Sequence, residues 1–216
     1  MREDHLRGRL CTALTWAVLL LGLWLWGRAV TAVPQEARHP ATGDLFALGA
    51  TAPVRLPPPA RPLPEALPQR IDIPRLGVQA PVVARGLDTR GAPAPPPFDQ
   101  PGVVAWYGAG TRPGASGTAL MVGHLDTHTR PAVFHRLRTL TPGASVRVVR
   151  SDGRVARFTV EDVRVLPRTG FDARQAYAPR VPGRAELRLI TCGGGFRDGA
   201  YTANVVVSAY LTGSTG

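Results

Sequence analysis

The chain has 216 residues, 44% of them hydrophobic, and a formal net charge of +11 whose basic side is all arginine, 26 residues with no lysine. Lysine chemistry is thereby excluded, whether as a Schiff base, a P-loop phosphate ligand or a general base. From residue 70 onward 19 arginines face 10 acidic residues, a balance that suits an anionic lipid surface or an acidic envelope, while scattered arginines without an aromatic-basic motif argue against nucleic acid.

The first element in the chain is apolar. Leu10 to Trp26 carries no charge, follows Arg2, Arg7 and Arg9, and closes on Gly27-Arg28, which predicts a short membrane-spanning anchor with a cytoplasmic N-terminus and an exported remainder. Val30-Thr31-Ala32 also fits a signal-peptidase site, so a cleaved signal peptide is the rival reading, with the same compartment. Residues 1–31 are therefore expected to be a cytoplasmic tip and signal anchor, making the protein a single-pass membrane protein.

Residues 32–69 follow as a linker. Pro53, Pro57, Pro58, Pro59, Pro62, Pro64 and Pro68 forbid helix interiors and sheet ladders and favour extended polyproline II, the composition of a spacer. Residues 70–216 are expected to form one extracellular folded domain.

Within it, short β-rich runs alternate with Gly and Pro. Ile71–Ile73, Val78–Val83, Val103–Trp106, Thr118–Val122, Ser145–Arg150, Ala156–Val165, Glu186–Thr191 and Ala203–Tyr210 predict eight strands, hence an all-β closed barrel or sandwich. Ala132–Leu140 reads as a short helix, and Asp172–Tyr177 as a single helical turn. Between the sixth and seventh strands Leu166 to Gly170 spells Leu-Pro-Arg-Thr-Gly.

Two stretches carry chemistry. Met121 to His128 reads Met-Val-Gly-His-Leu-Asp-Thr-His where a strand enters a loop, and Leu189 to Gly195 reads Leu-Ile-Thr-Cys-Gly-Gly-Gly where a strand meets glycines. A cysteine at such a strand end has an exposed thiol. Cys11 lies in the apolar segment, so Cys192 has no partner for an intramolecular disulfide. The alternative is a small buried hydrophobe. A thiol attacks as thiolate and needs an imidazole to take its proton or stabilise its anion, and His124 is the natural partner. His135 reads as a surface residue. His124, Asp126 and His128 alternate along an extended segment, which is also metal-ligand spacing, though such residues are more often plain loop polars. No cofactor or metal is expected.

Gly123-His124-Leu125-Asp126-Thr127, Pro131-Ala132-Val133-Phe134, Leu187 to Gly194 with Thr191-Cys192 at its centre, and Asn204-Val205-Val206-Val207 together resemble the sortases, and most closely the class F group of high-GC Gram-positive bacteria. The resemblance runs from about Ile71 through Ala209. It implies an eight-stranded sortase β-barrel, a cysteine transpeptidase with Cys192 as nucleophile and His124 as general acid or base, and an oxyanion held partly by an arginine. Arg197 is the residue expected in that role; many sortases carry theirs nearer the last strand, where this chain has Tyr201-Thr202-Ala203-Asn204. Arg188, on the same strand face as Cys192, is the competitor. The partners implied are surface proteins with a Leu-Pro-x-Thr-Gly signal, cut between Thr and Gly, and an amine acceptor of a peptidoglycan precursor. A monomer is expected. Leu166 to Gly170 spells that signal itself, but further strand-rich sequence follows it, so the reading is enzyme and the pentapeptide a chance match. The alternatives are an exported cysteine hydrolase or transpeptidase acting on peptidoglycan peptides and a non-catalytic envelope-binding module.

Overall fold

The computed structural model describes residues 55–216. The expected anchor, Leu10 to Trp26, and the first part of the Pro-rich linker lie outside the described residues. Among the described residues no helix is long and apolar enough to cross a membrane.

Eight strands close into one barrel: β1 (Pro68–Ile73), β2 (Val78–Arg85), β3 (Val104–Tyr107), β4 (Gly117–Val122), β5 (Ser145–Arg150), β6 (Val155–Pro167), β7 (Ala185–Arg197) and β8 (Ala200–Thr215). Around the wall they run β1-β2-β3-β4-β7-β8-β6-β5, and β5 pairs with β1 to complete the ring. The β2–β3 and β4–β7 pairs are parallel and the rest antiparallel. Closure removes exposed sheet edges.

The period-two pattern sends alternate residues inward. Ile71 and Ile73 of β1, Val146 and Val148 of β5, and Leu187 and Leu189 of β7 are fully buried in one core. Every run read as a strand is one, and the last two are longer than their apolar cores. Burial of this apolar surface, at about 25 cal/mol per Å², is what holds the barrel.

Two expectations change. Ala132–Leu140 is not an α-helix. It is a series of i to i+3 turns, with His135, Leu137 and Leu140 N–H groups bonded to Ala132, Phe134 and Leu137 carbonyls, containing a 3-10 turn at Leu137–Thr139. Phe134, Leu137 and Leu140 recur every third residue and are all buried, and a three-residue period matches the 3-10 turn better than the α-helix. The one α-helix among the described residues, α1, spans Ala173–Tyr177.

The spacer is also less free than expected. From Pro57 to Leu67 it lies against the barrel as a strap: the Ala60 N–H donates to Leu211 O, Leu63 N–H to Gly114 O, and the Tyr210 hydroxyl to Pro57 O at 2.6 Å. Arg150 occupies the last inward position of β5, fully buried, and donates to the carbonyls of Pro113 and Pro64 and to Asp152. Prolines donate nothing to a ladder, yet their carbonyls remain good acceptors. Side-chain donors on the barrel therefore hold a segment that no strand can.

Candidate active site

β4 ends at Val122 and delivers Gly123 and His124 to the barrel rim. A Cβ on Gly123 would come within 2.6 Å of the Phe134 ring, so glycine is needed for the turn segment to close over this strand. The Gly123 N–H donates to Ile190 O, and the His124 carbonyl accepts from Phe134. The parallel β4–β7 register pairs Val122 with Ile190. Carried two residues on, it brings His124 level with Cys192.

Cys192 is half-buried and unbridged. Contrary to the expectation of a strand ending in free glycines, β7 continues past it, with Cys192 opposite Asn204 and Gly193 opposite Ala203. Close approach of β8 explains the glycines. A Cβ on Gly193 would meet Val205 at 2.7 Å, and one on Gly194, whose φ is +77°, would meet Thr202 at 2.5 Å.

His124 is 8% exposed, and its Nε2 lies 2.7 Å from Pro96 O. A carbonyl only accepts, so Nε2 carries the hydrogen and Nδ1 is left for proton exchange. The Phe98 ring covers the imidazole, centroids 4.4 Å apart, and stacks on exposed His128 at 5.8 Å. The three residues spaced like metal ligands are engaged separately: His124 with Pro96, His128 with Phe98, and Asp126 with the Tyr201 hydroxyl. Donation to Asp126 is the main reason the Tyr201 phenol is pushed up to about 12.

Two cavities of about 490 Å³ each meet at this pair, and His124 and Cys192 line both. One is walled by Val122, Ile190, Phe171 and Tyr177 and by Asp88, Arg90, Pro93 and Pro95 of the segment joining β2 to β3. The other is walled by Asp126, His128, Phe196 and Tyr201. Burial pushes the Cys192 thiol up, Arg168 pulls it down and Asp126 pushes it up again, leaving it above the ordinary thiol range.

Arg197 is not brought to the pair. It ends β7, exposed, opposite Ala200 across the tight turn Asp198-Gly199, whose two φ angles are +51° and +79°, and it lines neither cavity. A two-residue hairpin fixes the direction of its flanking residues and leaves no slack to fold back. Arg188 is accounted for elsewhere: it is buried, donates to Glu186 at 2.7 Å, and holds the Ala176 and Ala178 carbonyls around α1. The residue missed in the sequence is Arg168, which lines both cavities. The signal lay in strand length, because extending the sixth and eighth strands in register brings Pro167 opposite Ala203 and Arg168 beside the cysteine's neighbours on β8.

A thiol and an imidazole from neighbouring parallel strands, sharing one cleft, form the constellation of nucleophilic acyl transfer. A family model, that of the sortase domain, matches residues 71–212. The chain belongs to the sortase family, whose members are cysteine transpeptidases. Its fold is similar to sortase C-1 from Actinomyces oris (TM-score 0.50, 23% identity, 66% of this chain and 72% of that one). It is also similar to the lid mutant of sortase A from Corynebacterium diphtheriae (TM-score 0.51, 18% identity, 69% and 72%) and to sortase C2 of the Group B Streptococcus pilus island 1 (TM-score 0.52, 17% identity, 69% and 75%). No curated protein sequence matches.

Proposed function

We propose that this chain is a class F-type sortase that cleaves a Leu-Pro-x-Thr-Gly signal between Thr and Gly and transfers the threonyl product to an amine of a peptidoglycan precursor. The observation that carries the reading is the pairing of Cys192 and His124 at the junction of two cavities. The class F assignment rests on the sequence motifs from Gly123 to Thr127 and from Leu187 to Gly194. The cavity walled by Val122, Ile190, Phe171 and Tyr177 suits the Leu-Pro end of the signal, and the one bearing Asp126 suits an arriving amine.

Because burial keeps the thiol protonated, the nucleophile forms as the proton passes to Nδ1 of His124. The Cys192 sulfur adds to the threonine carbonyl. Collapse of the oxyanion breaks the Thr–Gly bond, and His124 returns the proton to the departing glycine amine. The acceptor amine then attacks the thioester, loses its proton to His124, and releases the thiol. The domain works outside the cell, tethered through Leu10 to Trp26, and acts as a monomer.

The test is mass spectrometry of the full chain incubated with a Leu-Pro-x-Thr-Gly peptide library, with and without added amines. A threonyl thioester on Cys192 and amine-dependent product are expected. Turnover of peptidoglycan stem peptides and none of sorting peptides would overturn the reading.

The chain's own pentapeptide is expected to survive. Leu166 and Pro167 are held in the β6–β8 ladder, the Arg168 N–H donates to Thr202 O, and Gly170 turns at φ +72°. A scissile segment must lie extended across the nucleophile, and this one does not. Intact-mass analysis after prolonged incubation should show no fragment ending at Thr169.

A further inference from the structure

The Leu-Pro-Arg-Thr-Gly segment has a place in the site that its resemblance to a substrate hides. Its first two residues finish β6, paired with Asn204 and Ala203 of β8. Asn204 is also the residue opposite Cys192. One strand thus connects the pentapeptide to the nucleophile, and the next residue along, Arg168, leaves the ladder beside it.

Arg168 lines both cavities, as His124 and Cys192 do, and the remaining arginine in either lining, Arg90, borders only the one walled by Val122 and Ile190. Its backbone is fixed by the 2.9 Å hydrogen bond from its N–H to Thr202 O, and its Nη1 reaches the Tyr201 carbonyl at 3.5 Å. Among the described residues it forms no ion pair, whereas Arg150, Arg180, Arg184 and Arg188 all do. A guanidinium with most donors uncommitted, at the junction where acyl transfer develops negative charge, is placed to bind an oxyanion.

We propose that Arg168, the variable residue of the internal Leu-Pro-Arg-Thr-Gly segment, is the catalytic cation of this site, donating to the oxyanion at Cys192 from the β6 end in place of Arg197. This rests on the transpeptidase reading above and deepens it. The pentapeptide is then part of the catalytic wall: Pro167 ends the strand, Arg168 faces the cleft, and Thr169-Gly170 turns the chain away towards α1.

Two measurements on the full chain test it. The first is turnover of a good sorting peptide. Arg168→Ala and Arg168→Gln are expected to lower kcat about a hundredfold or more, the scale of one lost oxyanion donor, with KM little changed. Arg168→Lys should recover part of the loss, since an ammonium keeps the charge without the fork of donors. The second is the pH dependence of Cys192 alkylation by iodoacetamide, which needs no sorting substrate. Arg168→Gln should move the midpoint to higher pH, because it removes the cation that favours the thiolate, and Asp126→Asn should move it lower. Thermal melting of each variant identifies loss of fold.

Folded Arg168→Gln with normal turnover and an unmoved alkylation midpoint would overturn the proposal. So would Arg197→Ala showing the larger kcat loss. If wild type turns over no sorting peptide while Arg168→Gln still shifts the midpoint, the transpeptidase reading falls and the placement of the guanidinium beside the thiol stands.

Discussion

Cys192→Ala is expected to reduce peptide cleavage and amine transfer to background, and His124→Ala to do the same, with the double variant no worse than either. Residues that act as one unit lose the whole of their shared effect when either is removed. The two share both cavities, and His124 follows two residues after the end of the strand paired with the one that carries Cys192. His135→Ala should keep nearly full activity, because that ring is exposed on the far side of the turn segment. His128→Ala should keep most of it, losing the stack on Phe98 and one exposed side chain of the second cavity's wall. Discontinuous peptide assays with mass detection distinguish these cases, and near-normal turnover by Cys192→Ala would remove the nucleophile from the proposed mechanism.

Arg188→Ala is expected to act on stability. Glu186 is fully buried, and although burial pushes its carboxyl up, the N–H groups of Arg180 and Val181 and the Arg188 and Arg184 guanidiniums outweigh that and hold it below the usual carboxylate range. Removing one partner from a buried pair costs about 3–5 kcal/mol. Arg184 remains on Glu186, so the lower end applies. For a domain of this size about 3 kcal/mol corresponds to a fall in Tm of roughly 6–12 °C. The same carboxylate sets an acid limit. A depressed native pKa contributes stability that is fully present above the unfolded value and lost as pH falls through the folded one. Glu186→Gln should flatten that acid loss while lowering the plateau. Calorimetry between neutral and acidic pH measures both effects. A melting temperature unchanged in Arg188→Ala would mean the ion pair carries no net stabilisation.

The barrel and the Cys192–His124 pair were legible because both depend on local signals. Val-rich alternation names the strands, and a histidine and a cysteine that each follow an apolar run fall at the end of that run whichever way the strands pair. What escaped depends on distant segments meeting. Arg168 acquires its position from β8, through Thr202 and Asn204, and nothing near Arg168 in sequence announces that contact. The strap is held by Tyr210, Leu211 and Arg150 from the far half of the chain, so proline content alone read as free spacer. Ala132–Leu140 reads as a short helix in sequence and folds as turns around a 3-10 turn, since apolar residues three apart suit either helical type over a few residues. Arg197 stands five residues from Cys192 in sequence, which is what recommends it there. The turn at Asp198-Gly199 directs it away.

β8 is the last of the eight barrel strands in chain order, yet it stands in the wall between β7 and β6. A nascent chain released only as far as the Asp198-Gly199 turn holds the cysteine and the histidine, but lacks the partner of Cys192, the anchor of Arg168 and the acceptor for Ala60. The β7–β8 pairing closes across a local hairpin, whereas the Ala60–Leu211 contact joins distant parts of the chain and is the slower kind to form. The contacts that surround Cys192, fix Arg168 and hold the strap at Ala60 therefore all wait on this one strand.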